Sequence, residues 1–330
     1  MKRIFLLISI ALISVLNGKA QDFHMSMYDA APLYLNPSMT GVFEGDWRIH
    51  AQYRNQWKSV NFKPYTTGLI SFDIPYKKWG FGAQIVNYRA GIGNYNAIQA
   101  VGSAAYSVSI DNNKYHNLSF GLQAGATQKS VEYQLHTFNN QYVTSNGGGF
   151  DNQLNSNETF AGQTTVAPVT NAGFMYYYTK QQSKINPFIG VSAFNLIEPT
   201  ESFFQANNTL ERRYYGHLGV RCNLTEALYL IPKVFIMKQG KFEEQTYAVD
   251  AGYYLKNSEL YLLGGIIYRN LDAVVINAGV KMENYIFKVG YDFNASTLTP
   301  VSTGRGAIEI SFTYMKRKEN PKTVKICPRL

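Results

Sequence analysis

From Asp46 onward the sequence repeats one pattern, segments of roughly eight to fifteen residues in which apolar and polar side chains alternate one by one. A two-residue period belongs to the β-strand, where successive side chains leave opposite faces. In Asp46 to Tyr53, Trp47, Ile49, Ala51 and Tyr53 share one face, while Arg48, His50 and Gln52 share the other and Arg54 continues it. The alternation recurs over Thr67 to Ile74, Trp79 to Tyr88, Asn96 to Ile110 and Asn117 to Thr127. Further segments are Ala167 to Thr179, Asn186 to Phe194, Arg212 to Cys222, Ala227 to Met237 and Thr246 to Leu255. Leu260 to Tyr268, Ala273 to Met282, Tyr285 to Phe293 and Ala307 to Tyr314 complete fourteen. Ala227 to Met237, with Pro232 inside it, has the weakest pattern, because proline cannot donate to a strand ladder.

Such segments are longer than the strands usual in soluble sheets and match strands that cross a bilayer at a tilt. A soluble two-sheet β protein also alternates and turns often. Against it stand the Gly, Ser, Asn and Gln of the polar faces, which suit a wet lumen. Aromatic residues also make up 15% of the chain, with 25 Tyr, against 16% charged residues, a balance suited to aromatic girdles at two membrane interfaces. The connections alternate in length: Pro75 to Lys78, Asp111 to Lys114, Lys180 to Lys184, Asn223 to Glu226, Lys256 to Glu259 and Glu283-Asn284 are short. Arg54 to Thr66, Lys129 to Val166, Asn195 to Glu211 and Asn294 to Gly306 are long, and only Arg269 to Asp272 breaks the rule. The expectation is an all-β fold, a transmembrane antiparallel β-barrel of about 14 strands over residues 46–315. An even strand number puts both termini on the short-turn side, the periplasm.

Ahead of the barrel, residues 1–20 read as an export signal: Lys2 and Arg3, an apolar run from Ile4 to Leu16, and Gly18-Lys19-Ala20 as cleavage site. The run is short for a bilayer span and no Cys follows the cleavage site to accept a lipid, so export without a helical anchor is expected. The formal charge of +9 includes Lys2, Arg3 and Lys19; their removal leaves 28 basic against 22 acidic residues. Much of that excess lies in residues 316–330, a short basic tail expected in the periplasm, and no nucleic-acid module is visible. Residues 21–45 carry Phe23, Met25, Met27, Tyr28, Leu33, Tyr34 and Leu35 between prolines. That is too apolar for an idle linker, and the segment is expected to fold into or under the barrel as a plug.

The five histidines show no His-x-x-x-His spacing and no nucleophile-elbow pattern appears, so neither a metal, a cofactor nor catalysis is expected. Arg48, His50, Gln52, Arg54 and Lys288 fall on inner faces, as a mutually paired lumen or as a binding lining. The loop Lys129 to Val166 is either a surface binding loop or a loop without a partner. Phe203 and Phe204, in the loop Asn195 to Glu211, are candidate anchors for a protein partner. Cys222 and Cys327, both expected near the periplasmic side, are either a disulfide pair or two unpaired thiols, the first against lipid.

Several short segments carry a family resemblance when taken in order. They are Tyr34-Leu35-Asn36-Pro37-Ser38-Met39-Thr40-Gly41, then Gln56-Trp57, Leu118-Ser119-Phe120-Gly121-Leu122 and Asn186-Pro187-Phe188-Ile189-Gly190. Tyr291-Asp292-Phe293-Asn294 and the ending Cys327-Pro328-Arg329 follow. Together they resemble the PorP/SprF family of the type IX secretion system, with Asn36-Pro37-Ser38 where the family carries Asn-Pro-Ala. The resemblance implies an outer-membrane barrel of a Bacteroidetes-type bacterium. It further implies export or surface anchoring of adhesin-like cargo, as in gliding motility, with a type B C-terminal domain on the cargo and contacts to periplasmic type IX or peptidoglycan-binding components. A general outer-membrane channel or apolar-solute transporter is the alternative that the strand pattern itself allows.

Overall fold

The computed structural model describes residues 24–316 except 57–62, 92, 159–161, 181–182, 204–208, 297–298 and 303. Fourteen long strands form one closed antiparallel barrel. They are β1 (Trp47–Gln56), β2 (Tyr65–Tyr76), β3 (Trp79–Ala90), β4 (Tyr95–Ser109), β5 (His116–Ser130), β6 (Thr164–Tyr178) and β7 (Ile185–Phe194). β8 (Arg213–Asn223), β9 (Leu228–Gln239), β10 (Phe242–Leu255), β11 (Leu260–Arg269), β12 (Ala273–Met282), β13 (Tyr285–Asn294) and β14 (Arg305–Lys316) complete the circuit. Each strand pairs with its sequence neighbour, and β1 closes the barrel on β14 from Trp47 opposite Lys316 to Gln56 opposite Ala307.

All fourteen alternating segments fall on these strands, and the differences lie at their ends. β1 runs on to Gln56, so Arg54 belongs to the strand rather than to the connection after it. In β9, Pro232 stands opposite Val249 of β10, while on the β8 side the ladder is interrupted at Val220 and Arg221, where proline has no N–H to give. Within the long connection between β5 and β6, Tyr142–Val143 pairs with Gly149–Phe150 as a small ribbon. The start of β1, the end of β14 and the turns after β2, β4, β6, β8, β10 and β12 lie at one end of the barrel. The long connections lie at the other, together with two short turns, residues 240–241 between β9 and β10 and residues 270–272 between β11 and β12.

The distribution of side chains is the reverse of a soluble sheet protein. Ile70, Phe72, Phe81, Ile85, Leu122, Val191, Ile266 and Ile276 point outward and are exposed. Arg48, His50, Gln52, Arg54, Asp73, Gln123, Lys233, Asp250, Asp292 and Glu309 point inward and are buried. An apolar outer band around a polar interior is the arrangement that satisfies every strand hydrogen bond while facing hydrocarbon. At the short-turn end, contacts such as Trp47 with Tyr314 at 5.0 Å, Trp79 with Tyr106 at 4.9 Å and Tyr285 with Tyr314 at 4.9 Å mark one aromatic girdle. Toward the other end Tyr291 meets Phe293 at 4.9 Å, and Tyr214, Tyr247 and Tyr268 are exposed on the outer face.

Candidate functional site in the barrel interior

Three short helical turns, Tyr28–Ala30, Pro32–Leu35 and Pro37–Met39, follow one another in the segment ahead of β1. Prolines at the first position of the second and third turns start them at a fixed φ with no donor wasted. Met25, Met27, Leu33, Tyr34, Leu35 and Met39 are all buried, and what buries them is the inner wall. Tyr28 stacks on Phe235 at 4.6 Å, and with Leu35 and Met39 it joins Met175, Tyr177, Phe188, Phe194 and Tyr215 in one apolar cluster. Met25, Ala31 and Tyr34 form a second cluster with Leu69 and Val86 of β2 and β3.

Asn36 fixes the centre of this segment. Its side-chain amide donates to the carbonyl oxygens of Phe174 (3.2 Å) and Val191 (3.3 Å) and lies 3.1 Å from His217 Nε2. Its Oδ1 accepts from the Ser38 N–H at 3.0 Å and the Ser38 hydroxyl at 2.7 Å, so one residue closes its own turn and reads three strands. Strand glycines make the room. A Cβ at Gly121 would land on the Pro37 carbonyl, one at Gly173 on Asn36 Oδ1, and one at Gly80 on the Thr40 carbonyl. Inner side chains then bind the segment's backbone: Gln123 donates to Leu33 O (2.8 Å), Ser192 to Leu35 O (2.9 Å) and Ser119 to Ser38 O (2.7 Å).

Charge pairs hold it at three further points. Arg48 forks onto Asp73, with Nε at 2.9 Å from one oxygen and Nη2 at 2.7 Å from the other, and Asp73 also accepts from the Gly41 N–H at 2.7 Å. Lys233 bridges Asp29 of the segment to Asp250 of β10, and Lys288 stands 3.8 Å from the same Asp250. Glu309 accepts from the Ser26 N–H at 2.8 Å, the Met27 N–H at 2.9 Å and Gln52 Nε2, with Arg54 Nε at 3.6 Å. Arg54 also pairs with Asp292 at 2.9 Å and donates to the His24 carbonyl, while Asp292 accepts from the Ser26 hydroxyl at 2.6 Å. His24 lies 3.8 Å from Glu244, too far for a hydrogen bond. Burial, aided by Arg269, Arg54 and Arg213, holds the His24 imidazole well below its usual value, so it sits there neutral.

The residues read from sequence are thus distributed as follows. Arg48, His50, Gln52, Arg54 and Lys288 all point inward; His50 is held by Thr313 (2.8 Å) and Gln52 (3.0 Å) rather than by the segment. Tyr34, Asn36, Pro37, Gly41 and Gly121 meet in the seat just described, and Gln56 closes β1 opposite Ala307. Phe203 is half-buried. Phe204, Trp57, Cys327, Pro328 and Arg329, with residues 1–20 and 317–330, lie outside the described residues. Cys222 lies near the short-turn end of β8 on the outward-facing side. Asp29 and Asp73 were not singled out from sequence as site residues. Asp73 sits on the polar face of its segment, but its partner Arg48 is 25 residues away, and Asp29 precedes all alternation. Among the described residues no group of three or more His, Cys, Asp or Glu is placed to hold a metal ion.

A closed fourteen-strand barrel with an apolar belt, two aromatic girdles and a polar interior defines a transmembrane β-barrel of the outer-membrane type. The sequence matches, over residues 17–314, the family described as "Type IX secretion system membrane protein PorP/SprF", and the chain belongs to that family. No curated protein matches the sequence. Among solved structures it is similar to the Ralstonia pickettii toluene transporter TbuX, with a TM-score of 0.52 and 11% identity over 88% of this chain and 95% of that one. It is also similar to the CymD monoaromatic hydrocarbon channel, with a TM-score of 0.51 and 13% identity over 92% and 96%. At such identities the likeness is one of fold.

Proposed function

We propose that this protein is a non-enzymatic subunit of type IX secretion in the outer membrane, plugged by its own N-terminal segment. It docks, helps to export or anchors adhesin-like cargo bearing a type B C-terminal domain. The observation that carries the reading is the family match across the whole barrel, joined to an interior filled by residues 24–45. A barrel filled in this way serves its partners at its rims. The loops opposite the termini, including 131–163 and the Phe203 region, face the cargo. The short-turn end, both termini and the basic tail face periplasmic type IX or peptidoglycan-binding components.

Affinity purification from detergent-solubilised outer membranes, with mass spectrometry of the retained proteins, tests the proposal. Recovery of a large adhesin through its C-terminal domain, lost when residues 139–155 are deleted, is the expected result. A barrel that purifies alone and conducts in planar bilayers would instead support a solute transporter. That second reading draws on the hydrocarbon transporters of similar fold, but the buried ion pairs of Arg48, Arg54 and Lys233 offer an apolar solute a poor path.

A further inference from the structure

The short-turn rim is electrically lopsided. In the three neighbouring turns β2–β3, β4–β5 and β6–β7, Lys77, Lys78, Lys114, Lys180 and Lys184 are all exposed, and none forms an ion pair among the described residues. The one acid in these turns, Asp111, accepts the N–H groups of Tyr115 (3.1 Å) and His116 (2.8 Å), which hold its carboxyl below the usual range although burial opposes them. The turns β8–β9, β10–β11 and β12–β13 have the other sign, with exposed Glu226, Glu259 and Glu283 against Lys256. The basic half is one connected surface. Thr179 donates its N–H to Tyr115 O at 2.9 Å, tying the second turn to the third.

These lysines also stand at the edge of the outward aromatic girdle. Lys77 Nζ lies 5.4 Å from the Tyr76 ring centre and Lys180 Nζ 5.8 Å from that of Tyr115. Tyr76, Trp79, Phe81, His116 and Tyr178 continue the girdle beside them, exposed or half-exposed. Ammonium groups carried on interfacial tyrosines lie at headgroup depth, where a phosphate meets several at once. A protein partner beneath the barrel would need no such alignment with the lipid-facing belt.

We propose that the rim from β2 to β7 is a binding site for anionic phospholipid of the inner leaflet, engaged through its phosphates, so that such lipid gathers on one flank of the barrel. The proposal rests on the reading that the short-turn end is periplasmic. The test places the full-length protein in nanodiscs of equal phosphatidylcholine and cardiolipin and measures lipid retention by native mass spectrometry. Cardiolipin should be retained preferentially. Combined Lys77→Gln, Lys78→Gln, Lys114→Gln, Lys180→Gln and Lys184→Gln should remove that preference, each lysine accounting for roughly fivefold at low salt. Lys256→Gln in the β10–β11 turn should leave it unchanged, and unaltered heat-dependent gel mobility establishes that each variant is folded. Equal retention of both lipids, or a preference that survives the five substitutions, overturns the site. Orientation is read separately: Lys77→Cys should react with an impermeant maleimide only after the outer membrane is permeabilised. Labelling in intact cells would overturn the inner-leaflet assignment even if phosphate binding persisted.

Discussion

Replacing Asn36 by Ala tests whether the segment ahead of β1 is a seated part of the barrel or a loose filling. The substitution removes the amide that donates to Phe174 O and Val191 O and approaches His217 Nε2, together with the oxygen that accepts twice from Ser38. Asn36, Ser38 and His217 are all buried, so the abandoned Ser38 N–H and His217 nitrogen find no ready solvent. With a net value of about 1 kcal/mol for each of several lost bonds, and more for groups left unpaired, the seat should weaken by roughly 3–5 kcal/mol. The open state of the segment then becomes more populated by a factor on the order of 10²–10⁴. Hydrogen exchange read by mass spectrometry on peptides from residues 25–41, in detergent at constant pH, measures that opening directly. Amides of the segment should exchange faster by the same factor, while β10 to β12 keep their protection. An acceleration below about tenfold, in a barrel of unchanged gel mobility, would refute the claim that Asn36 carries the seat.

The other expectations concern the same interior. Gly121→Ala sets a Cβ against the Pro37 carbonyl, a backbone group with little freedom to yield, and should expose the segment to protease. Gly102→Ala, whose added atom meets nothing nearer than 3.9 Å, should not. Arg54→Gln and Asp292→Asn should each destabilise the barrel but together cost less than their sum, because either alone strands a buried charge; strict additivity in heat-dependent gel shifts would contradict the pairing. His24 supplies a pH dependence. Its imidazole is held below its ordinary value while seated, so the released segment binds the proton first. Seating should therefore weaken as pH falls below about 6.5, by at most roughly 1.4 kcal/mol per unit, and His24→Gln should flatten that slope in exchange measurements.

Strand-level structure was legible because lipid and lumen impose opposite chemistry on alternate residues. β12, β13 and β14 read clearly for that reason: Ile276, Tyr291 and Ile310 face out while Asn277, Asp292 and Glu309 face in. Legibility falls in β9, where the inner wall presents Ile231 and Phe235 to the segment's Tyr28 and Leu35. Apolar side chains on both faces erase the two-residue contrast, and Pro232 obscures it further. The seat was less legible than the wall. Asn36-Pro37 reads as a turn from sequence, but the same amide that serves the turn also contacts β6, β7 and β8, whose residues lie 138 to 181 positions away. Nor does any local pattern link Ser26 to Glu309, separated by 283 positions.

The inner wall has two unlike halves, and the segment answers each in kind. Around β6 to β9 the wall is mainly apolar, with Met175, Tyr177, Phe188, Tyr215 and Phe235 packed against Tyr28, Leu35 and Met39. Around β10, β11, β13, β14, β1 and β2 it carries Asp250, Arg269, Asp292, Glu309, Arg54, Arg48 and Asp73, which meet the segment through Ser26, Met27, Asp29 and Gly41. Either half alone would leave a mismatch, because exposed apolar side chains favour collapse and buried charges need partners. A solute entering this lumen would have to displace both sets of contacts at once. Docking at the rims, the role we propose, would leave those contacts in place.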